Sequence, residues 1–65
     1  TQGLYEKAEP LYLRALAIRE KVHGPNHPSV ALVLRNLGTL YKRAGRLDEA
    51  EKVKERARAI EAKHK

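Results

Sequence analysis

The sequence predicts an all-α chain of three helices, arranged as antiparallel helix–turn–helix repeats. Three observations carry that prediction. The chain matches itself at a shift of 42 residues, its apolar residues recur at helical steps, and Gly and Pro interrupt the pattern around His23–Pro28 and at Gly45. The shift places Gly3 on Gly45, Ala8 on Ala50, Glu9 on Glu51, Arg14 on Arg56, Ala15 on Ala57, Ala17 on Ala59, Ile18 on Ile60 and Lys21 on Lys63. These eight identities fall within the 21 pairs that begin at Gly3, and Tyr5/Leu47, Glu6/Asp48 and Leu11/Val53 are conservative pairs besides. One full period and half of another therefore make up the chain.

The first helix is expected over residues 4–22. Ala8, Leu11, Tyr12, Ala15, Leu16 and Ile18 follow steps of three and four. Pro10 lies inside this stretch, where it removes a hydrogen bond and crowds the preceding turn, so a kinked or late-starting helix is expected. Gly24 suits the left-handed position after the last turn, and Pro25 cannot continue the helix.

The second helix is expected over residues 29–44. Pro28 fits its first position and Asn26 or His27 its cap. Val30, Ala31, Leu34, Leu37, Leu40, Tyr41 and Ala44 form its apolar side. Gly38 sits mid-helix at a cost of about 1 kcal/mol relative to Ala, which points to another helix approaching closely there. Gly45 ends the helix. The third helix is expected over residues 47–63, with Asp48 and Glu49 in its first turn and Lys63 near its end, as the helix dipole favours. A break as short as Gly45-Arg46 permits only an antiparallel turn between neighbours.

Composition narrows the function classes. A chain of 65 residues holds at most one small core. There is no cysteine, hence no disulfide or thiolate chemistry, and this fits a reducing, cytoplasmic location. No apolar run approaches the roughly 20 residues of a membrane span. A chain that opens on Thr1 and has no methionine is expected to be a piece of a longer protein. The net charge is +6 and uneven: residues 1–28 carry four basic and three acidic residues, residues 29–65 ten and five. A basic surface of this kind favours acidic partners, although most such charges simply solvate helix faces.

Leu34, Leu37, Gly38, Tyr41, Gly45, Ala50 and Ala57 stand at the spacing of the tetratricopeptide repeat. The first helix repeats the second half of that motif with Gly3, Tyr5, Ala8, Tyr12 and Ala15. The usual period is about 34 residues, and the eight extra residues here lie in Lys21–Pro28. Together with Ala-Glu-Pro-Leu-Tyr at 8–12, Arg-Ala-Leu-Ala-Ile-Arg-Glu-Lys at 14–21 and Gly-Pro-Asn-His-Pro-Ser-Val-Ala at 24–31, the chain resembles the kinesin light chain and nephrocystin type of tetratricopeptide repeat over essentially its whole length.

The resemblance implies an α-solenoid fragment. In such an array the first (A-type) helix of each repeat lines a concave groove that binds peptides, and the B-type helix packs behind it. Residues 4–22 would be the B-type helix of one repeat, and residues 29–63 the A and B helices of the last repeat. Lys54 and Arg58 replace the aromatic and aliphatic residues of the first helix, Tyr12 and Leu16. Charges at these places mark Glu51–Lys65 as the solubilising C-terminal cap that such arrays need.

On the A-type helix, the groove positions implied by the resemblance are Leu32, Arg35, Asn36, Thr39, Lys42 and Arg43. Asn36 matches the asparagine that hydrogen-bonds peptide backbone; an amide both donates and accepts. Arg35, Lys42 and Arg43 favour acidic ligands, since guanidinium can grip a carboxylate bidentately. The plainer alternative is a solvated polar face. The expected function is thus a scaffold binding protein or acidic peptide segments.

The first helix lacks its A-type partner. Ala8, Leu11, Tyr12, Ala15, Leu16 and Ile18 are therefore candidates for an interface that makes the fragment a homo-oligomer, by helix swapping or face-to-face pairing. A nucleic-acid binder is a weaker alternative that rests on charge alone, because Tyr5, Tyr12 and Tyr41 fall on packing positions rather than stacking platforms.

No catalytic set is evident and no enzyme is expected. His23 and His27 stand in a Gly/Pro loop without a neighbouring carboxylate, so no metal or other cofactor is expected. Ser29 reads as a capping residue and His64 as a solvated one.

Overall fold

A computed structural model of the chain describes residues 2–64. Thr1 and Lys65, which end the expected repeat unit and its Glu51–Lys65 segment, lie outside the described residues. Three helices follow one another: α1 (Gln2–His23), α2 (Pro28–Arg43) and α3 (Leu47–Lys63), with no strand among the described residues.

Helix α1 continues through Pro10 rather than starting after it. Pro10 and Glu6, the residue whose carbonyl loses its partner, are both on the exposed side. Water can satisfy that carbonyl, so the proline costs one hydrogen bond without breaking the helix. The helix closes where Gly24, at φ +90°, donates its N–H to the Glu20 carbonyl at 2.8 Å. His27 then caps α2: its Nδ1 accepts from the Ser29 N–H at 3.0 Å, and Pro28 takes the first helical position. The His23 and His27 rings stack 4.3 Å apart.

The second turn is tighter. Gly45 sits at φ +82°, with its N–H on the Lys42 carbonyl (3.1 Å) and the Arg46 N–H on the Tyr41 carbonyl (2.8 Å). This paired closure needs a left-handed residue, which glycine supplies without a Cβ clash. It reverses the chain within three residues.

Helix α2 carries the core. Val30, Ala31, Val33, Leu34, Leu37, Leu40 and Tyr41 are buried on one side of it. The start of α2 packs on the end of α3 through Val30, Ala31, Leu34, Ala57 and Ile60; its other half packs near Ala50. That pairing makes α2 and α3 antiparallel. Tyr5, Ala8, Tyr12 and Leu16 of α1 cover the cluster of Val33, Leu37, Leu40 and Tyr41 from the other flank. Each fully buried large side chain contributes about 1.5–3 kcal/mol, so α2 is the element that holds both neighbours.

Helix α3 does lie against Gly38, but it meets the glycine with side chains. A Cβ there would come within 2.8 Å of Lys54 Cγ and 3.4 Å of Val53 Cγ2. The close neighbour is thus the aliphatic stem of a lysine and not helix backbone. Helix α1 is tied to α3 by Arg56, which pairs with Glu20 at 2.7 Å, and to the turn before α3 by Arg46, which pairs with Glu9 at 2.6 Å. The three helices form a flat body of 35 × 20 × 13 Å, barely thicker than one helix.

Candidate functional site

The apolar side of α2 is fully engaged, so its polar side is presented to solvent. Leu32, Arg35, Asn36, Thr39, Lys42 and Arg43 are all exposed there. The groove positions expected from the sequence therefore share one face, but neighbouring helices divide it. Asn36, Thr39 and Arg43 join Leu4, Tyr5, Ala8 and Tyr12 of α1 around a groove of about 290 Å³. Arg35 and Thr39 join Lys54 and Arg58 of α3 around a second groove of about 330 Å³. Leu32 and Lys42 are exposed but line neither groove.

Arg35 is not a free cation. It pairs with Glu61 of α3 at 2.6 Å, and the carboxylate raises its pKa further. Thr39 donates its hydroxyl to the Arg35 carbonyl at 3.2 Å, a one-turn back-bond within α2. Asn36 and Arg43 make no side-chain hydrogen bond or ion pair among the described residues, so their polar atoms face solvent in the first groove.

A polar cluster that the sequence spacing does not reveal lies at the C-terminal end of α2, on its flank towards α1. The Tyr41 hydroxyl donates to Glu9 Oε2 at 3.0 Å, and Arg46 donates to Glu9 Oε1 at 2.6 Å. Arg46 also grips Glu49 with two bonds, from Nε at 2.8 Å and from its terminal amine at 2.5 Å. Its guanidinium lies 4.6 Å from the Tyr41 ring centre. The hydrogen bond from Arg46 is the main reason that Glu9 and Glu49 titrate below the ordinary carboxylate range. Burial, followed by Glu9, pushes the Tyr41 hydroxyl up. The cluster locks α1, α2 and the start of α3 together.

The candidates for an oligomer interface divide as well. Ala8, Tyr12 and Leu16 already pack on the α2 core and Ala15 is half-buried. Leu11 and Ile18 remain outside, 69% and 55% exposed. His64 does more than face solvent: its Nε2 lies 2.6 Å from the Asn26 carbonyl, which can only accept, so Nε2 donates. No cluster of three or more His, Asp or Glu able to hold a metal occurs among the described residues.

The antiparallel α2–α3 pair, with Gly38 in its contact and Gly45 in its turn and with α1 on the other flank of α2, has the arrangement of a known repeat. A family model for the tetratricopeptide repeat matches residues 1–62. The chain belongs to the tetratricopeptide-repeat family. Tetratricopeptide repeats are non-enzymatic scaffolds that generally act as protein–protein interaction modules. No curated protein and no solved structure gives a significant match. No helix among the described residues is long and apolar enough to cross a membrane.

Proposed function

We propose that this tetratricopeptide-repeat chain is a non-catalytic module that binds acidic peptide segments along the polar face of α2. The observation that carries the reading is the common exposure of Leu32, Arg35, Asn36, Thr39, Lys42 and Arg43 above a fully packed core. Asn36 can both donate to and accept from a peptide link. Lys42 and Arg43 supply positive charge with no acid of their own helix to offset it, since α2 contains none. Helix α1 is read as the B helix of one repeat, and α2 and α3 as the A and B helices of the following one. The 42-residue spacing supports the kinesin light chain and nephrocystin subtype. The absence of cysteine supports a reducing compartment such as the cytoplasm. Titration with acidic and basic peptides of equal length, followed by fluorescence anisotropy, tests the reading. The acidic peptide should bind roughly tenfold more tightly at low salt. Equal affinity for both would remove the charge argument.

A second reading has its own observation. Leu4, Leu11, Ile18 and Val22 follow one stripe of α1 and are 65%, 69%, 55% and 68% exposed. That stripe supports self-association, with two copies pairing through α1 about a two-fold axis. Sedimentation equilibrium should then give a dimer or larger species at tens of micromolar, and a Leu11→Glu/Ile18→Glu variant should shift it towards monomer. A well-folded monomer at the highest attainable concentration would refute the pairing.

A further inference from the structure

We infer that the groove between α2 and α3, lined by Arg35, Thr39, Lys54 and Arg58, is a docking site for an acidic amphipathic helix of a partner protein. This groove meets the Asn36 and Arg43 groove at Thr39, and the inference rests on the reading above in taking an acidic protein segment as the ligand and in using Arg35 and Thr39.

The repeat supplies the geometry. In the first half-period, Tyr12 and Leu16 of α1 are the side chains against which α2 seats. One period later, the same places on α3 hold Lys54 and Arg58. The surface they border is therefore shaped to receive a helix, and its volume, about 330 Å³, is similar to that of the groove beside α1. Only the chemistry differs. An aromatic and an aliphatic residue have been exchanged for two cations one helical turn apart, and Arg35 approaches from the α2 side.

Lys54 is half-buried because its stem lies over Gly38. The packing fixes the stem and leaves the ammonium at the rim, a disposition in which a long basic side chain offers apolar contact and charge together. Neither Lys54 nor Arg58 makes an ion pair among the described residues. Arg35 is partly offset by Glu61. The methylene stems of Lys54 and Arg58 and the Thr39 methyl supply the apolar contact of the groove. A matching helix carries two carboxylates one turn apart, flanking a narrow apolar stripe.

Charge also rejects other occupants. In the repeat's register, the segment of a second copy that would seat here is α2. That helix has no acidic residue, and the charged side chain on its flank towards α1 is Arg43, so a second copy stacked head to tail would leave Lys54 and Arg58 without a counter-charge. Single-stranded nucleic acid would need exposed rings for stacking, and none of Tyr5, Tyr12 or Tyr41 lines this groove.

The test uses the whole chain and a synthetic amphipathic peptide of α2's length, with a leucine stripe flanked by glutamates. Two control peptides replace the glutamates by lysine or insert a central proline. Lys54→Gln/Arg58→Gln retains the stems and their packing, and should weaken binding roughly tenfold. Lys7→Gln/Arg14→Gln, an exposed pair on α1 outside both grooves, should leave it within about twofold. The peptide should gain helical circular dichroism on binding, and both controls should bind far more weakly. The inference is overturned if the proline peptide binds equally well, if Lys42→Gln/Arg43→Gln is the more damaging pair, or if a single-stranded oligonucleotide displaces the peptide at equal concentration. A peptide sensitive only to Lys42 and Arg43 would leave the α2-face reading standing while removing this one; failure of every acidic peptide to bind would remove both.

Discussion

Ile18 and Ile60 occupy the same place in the repeat, 42 residues apart, yet Ile18 is 55% exposed and Ile60 only 2%. The residue type and helical register are the same, so the neighbour makes the difference. Ile60 packs on Val30, Ala31 and Leu34 of α2. Leu11 and Val53 form the same contrast, one exposed and the other half-buried against both core clusters. The pair separates what the repeat contributes by itself from what an adjoining helix contributes.

Truncating these two isoleucines should therefore have unequal effects. Ile60→Ala should cost about 2–5 kcal/mol through lost burial and a residual cavity. Ile18→Ala should change stability by about 0.5 kcal/mol or less. Urea denaturation of the two variants at one dilute protein concentration compares them directly.

At Gly38 the outcome depends on Lys54. Gly38→Leu should destabilise by about 1–3 kcal/mol through overpacking. Gly38→Ala gains about 1 kcal/mol of helix propensity but pushes against the Lys54 stem. In a Lys54→Ala background the same Gly38→Ala change should be plainly stabilising. A double-mutant cycle by thermal melting reads the difference as a coupling between the two positions.

The Tyr41 hydroxyl spans α2 and α1 through Glu9. Tyr41→Phe keeps the packed ring and the stacked Arg46, and removes one hydrogen bond to a charged acceptor. A loss of about 1–2 kcal/mol is expected, measured by urea denaturation.

Acid should weaken the same cluster. Glu9 and Glu49 have folded pKa values below their ordinary value of 4.5, held there chiefly by the Arg46 hydrogen bonds. The folded state thus binds fewer protons than the unfolded state in that range. The stabilisation is complete above the ordinary carboxylate range and is lost as pH falls through the lowered folded values. The melting temperature of the chain should drop below about pH 4.5, and Arg46→Gln should flatten that acid limb. Superimposable acid limbs would contradict the assignment.

Much of the fold was legible in the sequence because its determinants are local. Gly24 and Gly45 sit where only a left-handed residue closes the turn, and the Leu37-Gly38-Tyr41 spacing marks a helix side that must pack. Pro10 misled the expected start of α1, because a proline facing water costs one bond that solvent replaces. The Glu9–Tyr41–Arg46 cluster was not legible in local spacing: its members come from three elements and Arg46 reads as a turn residue. The six polar positions of α2 do share an exposed face. Their division between two grooves depends on α1 and α3, which helical spacing within α2 does not encode.

The most direct test of the peptide-binding account is residue-resolved. Amide chemical shifts of the labelled chain should be followed by NMR while an extended, proline-containing acidic peptide is added, with a basic peptide as control. The account predicts saturable shifts centred on Asn36, Thr39 and Arg43 for the acidic peptide and none for the basic one. Unchanged amides along α2 at peptide excess, or equal shifts with both peptides, would contradict it.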